Sequence, residues 1–113
     1  MQIFKLIVMS NAITGREDEY NDWYNNRHLQ DVVAVPGFLS AQRYRLNDAI
    51  GYEHTYRYVA IYELDSADAA NSVADLIKRR GTEAMLLSDA FDLDGAIAGV
   101  FEPCSPVVKS KLV

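Results

Sequence analysis

Two histidines are present in the chain, and one of them, His28, closes a run of aromatic side chains at helical spacing. Tyr20, Trp23, Tyr24 and then Arg27 or His28 follow one another at intervals of three or four residues, which gathers them on one side of an α-helix. Glu17, Asp18, Asp22, Asn25 and Asn26 turn outward. An imidazole titrates near neutral pH and can serve as general acid or base; Tyr24, one turn earlier, brings a hydroxyl toward it, and Asp31 could hold its tautomer if the helix continues. The bland alternative is a helix-end histidine bonded to a terminal carbonyl. Trp23 and Tyr24 have the same two readings, ligand contact or core packing.

Other candidates lie on strands. Tyr58 and Tyr62 share a stripe and could donate hydrogen bonds to an oxyanion or phenolate, or simply pack against a second chain. Arg43 could orient a substrate carboxylate or enolate through its planar fork, or pair with Glu63 on the next strand. Phe38 and Tyr44 complete the aromatic set expected to contact a ligand. His54 reads as solvated. Cys104 has no adjacent base and no second cysteine to bridge, and the chain carries no metal-binding spacing and no GxGxxG, P-loop or HExxH. No cofactor and no metal are expected.

Composition bounds the rest. With 113 residues, 50% hydrophobic and 24% charged, the chain is one domain, residues 1–113, able to bury roughly two thirds of the surface its unfolded form exposes. A net charge of -5 repels phosphate backbones and anionic lipid surfaces, so neither nucleic acid nor membrane is an expected partner. The apolar opening, residues 2–9, is too short to span a bilayer and lacks the flanks of a signal peptide, which leaves the cytoplasm as the expected location.

The elements that must position these residues follow from periodicity. Residues 2–9 read as a central strand, apolar on both faces. A helix begins near Arg16, with three acidic residues in its first turn, and runs to Asn26 or, after a break, to Val33, before Pro36 and Gly37 end it. Residues 38–46 alternate as a second strand, with Phe38, Ser40, Gln42 and Tyr44 on one face. A hairpin connection leads into residues 56–64, with Tyr56, Tyr58, Ala60 and Tyr62 opposite Val59 and Ile61. Ser66 reads as the N-cap of a second helix that ends at Gly81. Residues 82–92 hold an apolar cluster, Met85, Leu86, Leu87 and Phe91, that reads as a further helical turn before a fourth strand, residues 95–102.

The order βαββαβ folds most economically as an α+β, ferredoxin-like four-stranded antiparallel sheet with two helices on one face. The other face is then bare. If Phe38, Tyr44, Tyr58 and Tyr62 lie there, a second copy should cover them, making a homodimer with a pocket for a hydrophobic or aromatic small molecule between the two sheets.

The segment R-E-D-E-Y-N-x-W-Y-x-x-R-H-L-x-D-V-x-A-V-P-G-F-x-S-A-Q-R-Y at 16–44, with Y-R-Y-V-A-I-Y-E-L at 56–64, resembles the EthD-like group of the dimeric α+β barrel superfamily. The resemblance implies a homodimeric barrel and a histidine near its cavity at the position of His28; Gln30 stands where relatives commonly carry proline. The superfamily includes cofactor-independent monooxygenases, cyclases, isomerases and stress-response proteins, so it does not choose a reaction. The expectation is a cofactor-independent enzyme performing proton transfer of the isomerase, cyclase or lyase type on a hydrophobic or aromatic metabolite. His28 would move the proton, Tyr24 and Tyr62 would act with it, and Trp23, Phe38, Arg43, Tyr44 and Tyr58 would contact the substrate. The alternatives are a non-catalytic carrier or stress-response protein and a cofactor-independent monooxygenase.

Overall fold

Strand β1 (Ile3–Ser10) forms the middle of the sheet because both of its faces are apolar. It pairs antiparallel with β3 (Tyr58–Asp65) on one side and β4 (Ile97–Phe101) on the other. Strand β2 (Phe38–Arg45) adds to the far side of β3, giving the order β2-β3-β1-β4, antiparallel throughout. The computed structural model describes residues 1–112, and this α+β arrangement is ferredoxin-like, with the helices over one face of the sheet. The first helical rod comprises α1 (Glu17–Trp23), a π-helical turn (Tyr24–His28) and α2 (Leu29–Val33). The second is α3 (Ala69–Arg79).

Acidic residues 17–19 fill the first turn of α1, favourable against the helix dipole, and Arg16 folds back on Glu19 through two hydrogen bonds of 2.8 and 2.9 Å. Asp65, rather than the expected Ser66, caps the turn leading into α3 by accepting from the Ala67 N–H, because the chain makes a short 3-10 turn (Ser66–Asp68) before the α-helix begins. Gly37 has a φ of +98°, and a side chain there would run into Ser72 of α3, so this glycine sets both the exit from α2 and the approach of the second helix.

The direction of the tyrosine stripe corrects the sequence reading. Leu6 pairs with Tyr62, Val8 with Ala60 and Ser10 with Tyr58, and all six face the helices. Tyr58 and Tyr62 are therefore buried under the helical layer, not displayed on the bare face. Phe38 joins them because the register shifts between Phe38 and Ser40; this bulge at Leu39 places Phe38, Ala41 and Arg43 inward and Ser40, Gln42 and Tyr44 outward. Of the four aromatic residues expected on the bare face, Tyr44 is there. The apolar part of that face comprises Ile7, Met9, Val59 and Ile61, half-buried, and Ile97 and Phe101, exposed; Ser40, Gln42, Lys5 and Glu63 share the same face.

Candidate functional site

Between the helical layer and the β1–β4 side of the sheet lies a cavity of about 380 Å³. Trp23, Tyr24, His28 and Val32 form one wall, and Val73, Leu76, Ile77 and Arg80 a second. Leu6, Val8 and Tyr62 are its floor, continued by Ala98 and Val100 of β4, which are exposed. Leu87, Phe91 and Leu93 close it from the loop before β4. A space between two sheets, as expected from the sequence, would need a second chain; this cavity lies on the opposite, helix-covered side of the sheet.

The loop that closes the cavity is fastened to the first helical rod. The Trp23 indole donates to the Leu86 carbonyl at 3.0 Å, and Arg27 donates to the Glu83 carbonyl at 2.8 Å. At its other end Ala12 and Phe91 form a β-bridge, flanked by Ile13 N–H to Ala90 O at 2.7 Å and Asp92 N–H to Asn11 O at 3.1 Å.

His28 owes its place to the π-helical turn, in which the Leu29 N–H donates to the Tyr24 carbonyl five residues back. Tyr24 and Val32 are eight residues apart, which on a regular α-helix at about 100° per residue would leave them about 80° out of line. The wide turn absorbs one residue and brings both into the core, so that His28, midway between them, lines the cavity too. Its ring stacks on Trp23 (centroids 4.5 Å apart, 24° between planes) and meets Tyr24 edge-on at 5.1 Å.

Burial in this aromatic setting pushes the His28 pKa down to about 4; Asp31 opposes the shift, and the positive charges of Arg43 and Arg80 add to it. The imidazole is thus neutral at pH 7. Its Nδ1 is buried without a hydrogen-bond partner. Asp31, considered from the sequence as its orienting partner, instead accepts from Arg27 Nε at 2.7 Å. The Tyr62 hydroxyl is the second buried polar group without a partner at the cavity, lying beside the Tyr24 hydroxyl without meeting hydrogen-bond geometry. Burial raises the Tyr24 pKa to about 12 and that of Tyr62 well above the usual value, so both remain protonated donors.

The site candidates thus divide into two groups. His28, Tyr24, Tyr62 and Trp23 converge on the cavity; Phe38, Arg43, Tyr44 and Tyr58 do not line it. Phe38 packs edge-on against Tyr62 at 6.3 Å in the core. Arg43 is caged by the rings of Tyr24, Tyr58 and Tyr20 at 4.3, 5.0 and 5.1 Å, and donates to Asn25 at 2.7 Å and Asn21 at 2.9 Å. Facing the helices, it does not take the expected Glu63, which points to the opposite face and accepts from Ser40. Tyr44 hydrogen-bonds Gln42 on the open face. The sequence reading did not single out Arg80, which also lines the cavity; a cation at the end of a helix already complements its dipole.

No family model and no curated protein matches the chain. Among solved structures it is similar to a "putative monooxygenase" from Shewanella loihica PV-4, with a TM-score of 0.59 and 13% sequence identity over 96% of this chain and 97% of that one. The likeness is one of fold. No helix among the described residues is long and apolar enough to cross a membrane.

Proposed function

We propose that this protein is a small enzyme that moves a proton on a hydrophobic or aromatic metabolite held in the cavity beneath its helices, without a cofactor. The observation that carries this reading is a neutral imidazole on the wall of an apolar cavity, fixed by a π-helical turn. A neutral imidazole can take up a proton, and a buried tyrosine hydroxyl without a partner can donate to an oxygen on which charge develops. His28 is the base on this reading, and Tyr62, with Tyr24 beside it, is the donor. A lining that is otherwise almost entirely aliphatic and aromatic suits a ligand dominated by apolar surface.

The same base could generate a substrate carbanion that reacts with dioxygen, a second reading favoured by the name of the Shewanella protein. On either reading we place the chain with the EthD-like group and propose that it works as a homodimer. The support for a second copy is the open sheet face, where Ile7, Met9, Val59, Ile61, Ile97 and Phe101 form a continuous apolar surface. Sedimentation at micromolar concentration tests the dimer, and a single monomeric species refutes it.

The test of the enzyme is a panel of apolar and aromatic metabolites screened by thermal shift on wild type and His28→Ala, followed by turnover and oxygen uptake on every stabilising compound. Turnover in wild type and its loss in a folded His28→Ala protein are expected. Binding without turnover overturns catalysis in favour of a carrier, and oxygen uptake separates the oxygenase from the isomerase, cyclase or lyase.

A further inference from the structure

Among the described residues Arg80 bears the only formal charge on the cavity wall, and no acidic residue lines it. The chain as a whole has sixteen acidic residues against eleven basic ones, so a wall with one cation and no carboxylate departs from the overall balance. The guanidinium is also free. Arg79, the preceding residue, is paired with Asp75 at 2.9 Å, whereas among the described residues Arg80 forms no ion pair. The backbone explains why the two neighbours part. Arg80 ends α3 with extended geometry (φ -58°, ψ 130°), and Gly81 turns the chain at a φ of +81°, so Arg79 remains on the helix surface while Arg80 leaves it at the cavity. Its positive charge reaches His28 across that cavity and helps keep the imidazole unprotonated.

We infer that Arg80 is a specificity-determining residue that selects ligands carrying one anionic oxygen group, a carboxylate or an enolate, on an apolar body. This rests on the cavity being a ligand site, as proposed above. The size of the space limits that body. A dry cavity of about 150 Å³ holds one benzene ring, so the cavity described here takes about two ring-sized units. A guanidinium at the mouth offers two parallel N–H donors to a carboxylate, a geometry that a lysine in its place would not reproduce. The anionic group would rest against Arg80 and the apolar body would extend toward Trp23 and Tyr62.

The chain has one tryptophan, Trp23, and it stacks on His28, so its fluorescence reports entry into the cavity. The probes are 4-phenylbutanoate and 4-phenylbutanamide, which share a skeleton and differ in charge, titrated into wild type, Arg80→Gln, Arg80→Lys and Lys78→Gln. We expect the acid to bind wild type about five- to tenfold more tightly than the amide, the range for a charge-assisted pair partly open to solvent. Arg80→Gln should abolish this preference while leaving the amide affinity unchanged, Arg80→Lys should keep part of it, and Lys78→Gln all of it. If the amide perturbs Trp23 and binds as tightly as the acid, or the preference survives in Arg80→Gln, the inference fails and the ligand cavity stands. If neither compound perturbs Trp23, both fall together.

Discussion

Acid should destabilise this protein through His28 in a defined pH window. The imidazole has a pKa near 4 when folded and the ordinary 6.5 when unfolded, so between these values the unfolded chain binds the extra proton. Stability from this residue is fully present above about pH 6.5 and is lost as the pH falls toward 4, below which the loss levels off. A tenfold difference in proton affinity is worth about 1.4 kcal/mol, so the loss is about 1 kcal/mol by pH 6, about 2 by pH 5 and about 3 by pH 4. Carboxylates titrate in the same range, so the comparison must be differential. Urea unfolding of wild type and His28→Phe at half-unit pH steps isolates the contribution of the imidazole, because phenylalanine retains a ring on Trp23 and carries no proton. The difference between the two proteins should follow this curve. A parallel NMR titration should place one imidazole near 4; His54, the other histidine, is exposed. Parallel pH profiles for the two proteins, or a His28 titration near 6.5, would refute the claim that burial holds the ring neutral.

Four substitutions probe the surrounding packing. Tyr62→Phe removes a buried hydroxyl that has no partner, so urea unfolding should show stability unchanged or raised by about 1 kcal/mol, while turnover of any substrate falls. Tyr20→Phe should instead cost about 1 to 2 kcal/mol in the same assay, since it breaks the 2.6 Å bond to Ser10 and leaves that hydroxyl buried alone. Arg43→Met should cost about 2 to 3 kcal/mol through loss of the three-ring cage and two hydrogen bonds, and should let the His28 pKa rise, measurable by NMR. Gly37→Ala should lower stability by about 3 kcal/mol, combining an unfavourable positive φ with a clash against Ser72, and Ser72→Ala in the same chain should recover part of it.

The order of elements was legible because its punctuation is chemical. Pro36 and Gly37 stop the first helical rod, Gly81 follows the second, and acidic residues mark the start of the first. The direction in which β3 faces was not legible. Its tyrosines alternate with Val59 and Ile61, which are as apolar as the aromatic stripe, and period-two alternation does not say which side the helices will take. Pairing with Leu6 and Val8, under a helix that brings its own Tyr20 and Tyr24, decided it. Phe38 was misplaced because a one-residue bulge inverts every position before it. Asp31 was at a suitable spacing for His28, yet Arg27, four residues earlier, offers it a charged partner in good helical geometry. His28, Tyr24, Tyr62 and Trp23, singled out in the sequence by residue type, line one cavity, although Tyr62 was expected on the other face of the sheet. Arg80 was hidden because a cation at a helix end already has a sufficient explanation, and only the turn after α3 shows where it goes.

The π-helical turn gives the chain an unusual tolerance to changes in length. Deleting Asn26, whose side chain bonds only Asp22 on the surface, would restore regular α-helical winding and put Tyr24 seven residues from Val32, about 20° from alignment, so the core contacts on either side would persist. The imidazole, displaced from the widened turn, would not keep its place. A one-residue insertion or deletion is usually among the most damaging changes a helix can suffer. At this point a deletion would fall mainly on the position of the His28 ring, giving descent a means of moving that ring into or out of the cavity while inheriting most of the scaffold.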